Sequence, residues 1–286
     1  MLHKNCNVIL ATVLPLTLTA CSTTPNVSAT RSIAGAKYVA MGSSFAAGAG
    51  IGPLQVGSPA RCGRTANNYA TLLAQRFHMT LTDVSCGGAM TANILNPWSE
   101  LPAQVDALDP ETSLVTITIG GNDVGYVMGL VGGSCRANMP IPSSSCLPKP
   151  TGGEAAWRKL EQNLGEISRQ VAIRAPKAKL VFIQYVTLVP PVLCEAATLL
   201  PAEAEEYRSL GRRLAEVTSR VAHTHGAMVL PIDRLSRDHT ACSAAPWSHG
   251  LSAGYDMKLG APWHPSKEGH AAIAQVLSNF LGRKLR

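Results

Sequence analysis

No segment of this 286-residue chain repeats with a period of about 20 to 50 residues, which excludes a solenoid. The spaced glycines of a dinucleotide fingerprint are missing, and so is the Gly-Lys-Ser/Thr of a P-loop. Gly48-Ala49-Gly50-Ile51-Gly52 is therefore expected to be a turn, and no nucleotide cofactor is expected. No two cysteines stand at the tight two-residue spacing of zinc ribbons, so a metal is not expected either. The one rival zinc arrangement would join Cys242 to His239 and His249. Aromatic residues make up only 5% of the chain and do not interleave the Lys and Arg, which are scattered singly. A nucleic-acid partner is thus not expected despite the formal net charge of +7. That charge suits proximity to anionic envelope material and says nothing about fold.

What the N-terminus carries is an address. Lys4 is followed by an apolar run at 8–18, which has the length of a signal-peptide core and is too short to span a bilayer. The run leads into Leu18-Thr19-Ala20-Cys21, which resembles the bacterial lipoprotein signal, in which the cysteine is lipidated and becomes the first mature residue. The expectation is a lipoprotein signal peptide at 1–20, a Ser/Thr/Ala/Pro-rich tether at 21–35 and one folded domain at 36–286. The protein would be exported and held on the outer side of the cytoplasmic membrane through Cys21, or secreted if an ordinary signal is cleaved nearby. A monomer is expected. Export leaves Cys62, Cys86, Cys135, Cys146, Cys194 and Cys242, an even set that suggests three disulfides among fifteen possible pairings. The sequential set, Cys62–Cys86, Cys135–Cys146 and Cys194–Cys242, is preferred because each pair would staple a loop-rich stretch between regular elements.

Short apolar runs alternate with longer amphipathic ones. The segments 37–41, 81–84, 114–119, 180–185 and 228–232 have the Val/Ile-rich character of buried parallel strands. At 67–77, 154–174, 202–223 and 266–281, apolar residues recur three and four apart, as on amphipathic helices. This alternation predicts an α/β fold, a three-layer α/β/α sandwich around a five-stranded parallel sheet with right-handed crossovers. The Gly/Pro/Ser-rich stretch at 129–153 is expected to be a long loop beside the active site.

Ligands of an open parallel sheet meet the loops at the carboxyl ends of its strands. Four motifs fall there or near the C-terminus: Gly42-Ser43-Ser44-Phe45, Ser85-Cys86-Gly87-Gly88-Ala89, Gly120-Gly121-Asn122-Asp123 and Trp263-His264-Pro265-Ser266. Together they supply what acyl transfer needs: a nucleophile, a base and donors for a developing oxyanion. Each motif alone is an ordinary turn sequence, since Gly and Asn tolerate positive φ. Four in this order resemble the SGNH, or GDSL, hydrolase family over nearly all of the mature chain, with its flavodoxin-like sheet. The cysteine positions are similar to those of its secreted actinobacterial lipase and esterase branch.

The resemblance implies Ser44 as nucleophile and His264 as general base. It also implies an oxyanion hole from the backbone amides of Ser44 and Gly88 and the side-chain amide of Asn122, with Gly87 the weaker donor. Two positions depart from the family pattern. Ser43 stands where an aspartate usually precedes the nucleophile, and Ala261 stands where an aspartate usually precedes the histidine by three residues. The expected substitute is a main-chain carbonyl, from Ala261 or Pro262, that orients the imidazole; Asp256 is a remote alternative acid. Gly250-Leu251-Ser252-Ala253-Gly254 matches a nucleophile elbow, with Asp256 and His264 or His270 after it, but lacks the strand and helix that an elbow requires. The implied activity is hydrolysis of carboxylic esters, of lipid or short acyl type, through an acyl-serine. The alternatives are a phospholipase, an envelope glycan deacetylase with the same site, or a non-catalytic envelope-binding lipoprotein.

Overall fold

A computed structural model describes residues 34–138, 146–149 and 153–284. The expected signal peptide at 1–20, Cys21 and most of the expected tether lie outside the described residues. The five strands are β1 (Lys37–Gly42), β2 (Thr80–Asp83), β3 (Thr112–Thr118), β4 (Lys179–Ile183) and β5 (Met228–Leu230). All neighbours pair in parallel, in the order β2-β1-β3-β4-β5. In β1 and β3 nearly every residue is buried, apolar and small polar alike, because helices cover both faces of the sheet.

The helices are α1 (Ser44–Ala47), α2 (Tyr69–Phe77), α3 (Thr91–Leu95), α4 (Tyr126–Asn138), α5 (Gly153–Arg174), α6 (Pro201–Thr224), α7 (Ile232–Leu235) and α8 (Lys267–Lys284). On one face α2 packs against α8; on the other α5 packs against both α3 and α6. A single core joins them, with Tyr38, Leu73, Ile117, Leu160, Phe182 and Leu277 among its fully buried side chains. Local chemistry sets several boundaries. The Asn68 side chain caps α2 by accepting from the Thr71 amide at 2.9 Å, α6 begins at Pro201, and Gly226 just beyond α6 has φ 68°.

The stretch at 129–153 is not one long loop, because α4 occupies its first part. Gly129, Gly132 and Gly133 weaken the helical signal in the sequence. Packing demands them: a Cβ at Gly129 would stand 2.6 Å from the Tyr207 ring, and one at Gly133 would stand 2.8 Å from Leu199. Close approach of α4 to α6 therefore overrides propensity. Three disulfides join Cys62 to Cys86, Cys135 to Cys146 and Cys194 to Cys242. The second ties the end of α4 to the chain beyond residues 139–145, which lie outside the described residues.

Candidate active site

At the carboxyl end of β1 the chain turns sharply into α1. Gly42 makes that turn at φ 136°, with its Cα so close to β3 that a Cβ would clash with the Thr118 carbonyl oxygen. The Ser43 amide donates to that same carbonyl at 3.0 Å. Ser44 then opens α1, where a first-turn amide has no helical acceptor. Among the described residues no acceptor is found for the Ser44 amide.

The partner comes from the segment before α8. His264 Nε2 lies 2.7 Å from Ser44 Oγ, and His264 Nδ1 lies 2.8 Å from the Pro262 carbonyl oxygen. Pro262, not Ala261, is thus the carbonyl that meets the ring. Ala261 faces elsewhere, its amide donating to the Ala49 carbonyl at 3.0 Å. Between them Trp263 takes φ 55°, an unusual conformation for a bulky residue. Its fully buried indole holds it there, and Nε1 donates to Ser134 Oγ of α4 at 3.0 Å. The Phe45 ring lies 4.7 Å from the His264 imidazole.

Burial is the main force on His264, whose residual exposure is 8%. It pushes the imidazole pKa down to about 4; the Pro262 carbonyl works in the opposite direction, and the nearby His249 adds to the depression. The ring is therefore neutral at neutral pH. With Nδ1–H donated to Pro262, the Nε2 lone pair faces the serine hydroxyl.

The remaining motifs surround this pair. Gly87 donates its amide to the Cys62 carbonyl at 2.9 Å, whereas no acceptor for the Gly88 amide is found among the described residues. Gly88 has φ 80°, a left-handed conformation that glycine takes without strain. Asn122 Nδ2 donates to the Ala89 carbonyl at 2.9 Å, leaving a second N–H on the same nitrogen. The 86–89 and 120–123 loops are thereby tied to each other. Asp123 accepts both the amide and the hydroxyl of Thr91, and Asn163 donates to the Thr91 hydroxyl at 2.8 Å. Burial raises the Asp123 pKa above the usual carboxylate value, against the pull of those hydrogen bonds.

Two further residues hold the site, and the sequence motifs did not include them. Tyr185 lies just past the end of β4. Its hydroxyl accepts the Gly121 amide at 2.9 Å and stands 3.3 Å from Ser43 Oγ, so one phenol joins the Ser43-Ser44 turn to the Asn122 loop. Burial raises its pKa to about 12. Gln104 accepts the Gly42 amide at 2.7 Å and donates to the Gly42 carbonyl at 3.0 Å. A buried Tyr at a strand end was the one available signal for Tyr185; Gln104 sits in a short turn at Gln104–Ala107 and carries no motif.

The competing groups are placed otherwise. Ser252 lies in irregular chain, with no strand ending directly before it and no helix beginning directly after it. Asp256 accepts from the Lys258 amide at 2.9 Å, and His270 Nδ1 accepts from the Tyr69 amide at 3.1 Å. Cys242 is committed to Cys194, and no group of three or more His, Cys, Asp or Glu among the described residues could hold a metal ion.

This geometry has relatives. Residues 40–272 match the model of the GDSL-like lipase/acylhydrolase family. The chain is 30% identical over 258 residues to lipase 2 of Streptomyces coelicolor, covering 86% of this chain and 85% of that protein. Among solved structures, phospholipase A1 of Streptomyces albidoflavus superposes with a TM-score of 0.69 at 26% identity, covering 86% of this chain and 99% of that one. An extracellular lipase of Streptomyces rimosus gives the same TM-score at 25% identity, covering 85% and 99%. A match across most of the chain, together with a serine and a neutral histidine in contact at the carboxyl edge of the sheet, means that the chain belongs to the GDSL-like lipase/acylhydrolase family and is an ester hydrolase.

Proposed function

We propose that Ser44 is the nucleophile and His264 the general base of a lipase or esterase that cleaves carboxylic esters of lipids or short acyl groups. The observation that carries this assignment is the chain of contacts from Pro262 O to His264 Nδ1 at 2.8 Å and from His264 Nε2 to Ser44 Oγ at 2.7 Å. Nε2 takes the hydroxyl proton as Oγ bonds to the ester carbonyl carbon, and the carbonyl π pair moves onto its oxygen. The Ser44 and Gly88 amides and the free N–H of Asn122 Nδ2 are the donors for that oxyanion. Collapse expels the alcohol, which takes the proton from Nε2. Water then attacks the acyl-serine with the same base, and the acid leaves. A neutral carbonyl behind the imidazole keeps its tautomer but stabilises the imidazolium less than a carboxylate does.

The protein is read as exported and acylated at Cys21, acting as a monomer at the outer side of the cytoplasmic membrane. Supporting export, the cysteines form disulfides as in an oxidising compartment. The likeness to a phospholipase A1 supports phospholipid as a second substrate class. Fluorophosphonate labelling with peptide mapping tests the assignment. The label is expected on Ser44, and a label on Ser252, or none on active protein, overturns it.

A further inference from the structure

The large apolar side chains that the fold leaves exposed are not spread evenly. Apart from Ile173 near the end of α5, those exposed among the described residues fall between the carboxyl end of a strand and the helix α2, α3, α5, α6 or α8 that follows it, on the side of the sheet that carries Ser44 and His264. Leu54 and Val56 follow β1 at 53% and 105% exposure, Met90 follows β2, Met128 follows β3, and Met257 and Leu259 follow β5 at 64% and 54%. The first and last of these loops touch. The Ala261 amide donates to the Ala49 carbonyl, and a Cβ on Gly50 would stand 3.1 Å from Gly260. Between Met257 and Leu259 stands Lys258, which forms no salt bridge among the described residues; the nearest carboxylate in sequence, Asp256, is engaged with the Lys258 amide. The opposite edge is different: Lys37–Asp109, Arg174–Asp106 and Lys177–Glu111 cover it with ion pairs.

An apolar rim exposed on separate loops of one edge is the pattern of an interaction surface. A protein seated permanently on this rim would cover Ser44. The occupant that fits is one that brings the ester with it. We infer that this edge docks on a lipid surface, with the apolar rim entering the acyl boundary, Lys258 meeting anionic headgroups and Ser44 facing the layer. The inference rests on the hydrolase reading above and adds the phase from which the substrate is taken.

The test compares the full chain with its V56S/M257S/L259S variant, so that anything the N-terminus contributes is common to both. These side chains are exposed and touch no proposed catalytic group, so folding and turnover of water-soluble p-nitrophenyl acetate should be unchanged. Turnover of a long-chain p-nitrophenyl ester dissolved in vesicles of equal phosphatidylcholine and phosphatidylglycerol should fall about tenfold, with a parallel loss of co-sedimentation. K258Q should weaken vesicle turnover about two- to fivefold, and only while phosphatidylglycerol is present and salt is low. Unchanged vesicle turnover in the triple variant, or an equal loss on both esters, overturns the inference. So does a wild-type dimer that becomes monomeric in the variant with no change on vesicles, since the rim would then serve a second copy of the chain. If the wild type turns over neither ester, the hydrolase reading fails, while co-sedimentation of the two proteins still decides the docking.

Discussion

Gln104 holds both backbone polar groups of Gly42, accepting its amide at 2.7 Å and donating to its carbonyl at 3.0 Å. That carbonyl also accepts the Cys86 amide at 3.0 Å. One buried side-chain amide therefore secures the turn before Ser44, and through the shared carbonyl it reaches the loop that presents Gly88.

Gln104→Leu removes the acceptor for a buried amide, and the expected cost is about 1–3 kcal/mol of stability. The turn that carries the proposed nucleophile should loosen as well, so kcat should fall more than KM changes. Urea unfolding and steady-state kinetics on a soluble ester measure both. A variant as stable and as active as the wild type would mean that Gly42 is held without Gln104.

Removing either half of the proposed dyad should be far costlier than removing one oxyanion donor. Ser44→Ala and His264→Ala are each expected to lower kcat by several orders of magnitude with the fold intact. Asn122→Ala should cost about 10²–10³ in kcat, in the range found when one such donor is lost. Circular dichroism establishes the fold and kcat on p-nitrophenyl acetate establishes the ranking; a near-wild-type Asn122→Ala enzyme would remove that side chain from the oxyanion hole.

Acidity should act on rate and stability through the same burial. As the proposed base, His264 would work only when neutral, and burial first of all holds its pKa down at about 4. The acid limb of kcat/KM is therefore expected near pH 4 and not near 6.5. His270 is pushed down to about 3, also by burial. For both, the folded value lies below the unfolded one, so on acidification the unfolded chain takes up protons first. The stability they contribute is complete above about pH 6.5 and is lost as pH falls toward the folded values. A pH–rate profile beside melting temperatures from pH 8 to about 4 checks the sign; an acid limb at 6.5 would contradict the buried imidazole.

The Cys62–Cys86 bond closes 24 residues of sequence and ends two residues before Gly88. Replacing both cysteines by alanine should cost about 3–4 kcal/mol in the chain-entropy account. It should also reduce kcat, because Gly87 leans on the Cys62 carbonyl at 2.9 Å. A stability loss about 0.6 kcal/mol larger on removing Cys194–Cys242, whose loop is twice as long, with kcat reduced only on removing Cys62–Cys86, is the expected pattern.

How far the site was legible depended on whether its parts are local in sequence. The central strands β1, β3 and β4 could be found because burial on both faces leaves apolar runs, and the bounds of β3 and β4 differ from the expected runs by one or two residues at each end. The four motifs were visible because sharp turns at strand ends require Gly, as Gly42 and Gly88 do at φ 136° and 80°. Helix α4 was hidden because its glycines serve contacts with α6 that lie far along the chain. Tyr185 and Gln104 were hidden for the same reason: they act on Gly121 and Gly42 from 64 and 62 residues away.

From the order of residues alone came the α/β class, the five parallel strands, the family resemblance and the chemical types needed for acyl transfer, because each depends on local pattern and side-chain chemistry. Tertiary structure decided which carbonyl meets the histidine. Ala261 and Pro262 are adjacent in sequence, and only the left-handed turn at Trp263, secured by its buried indole on Ser134, aims His264 Nδ1 at Pro262 O and Nε2 at Ser44. It also placed the apolar loops on the edge that carries Ser44, since parallel strands bring residues distant in sequence to one end of the sheet.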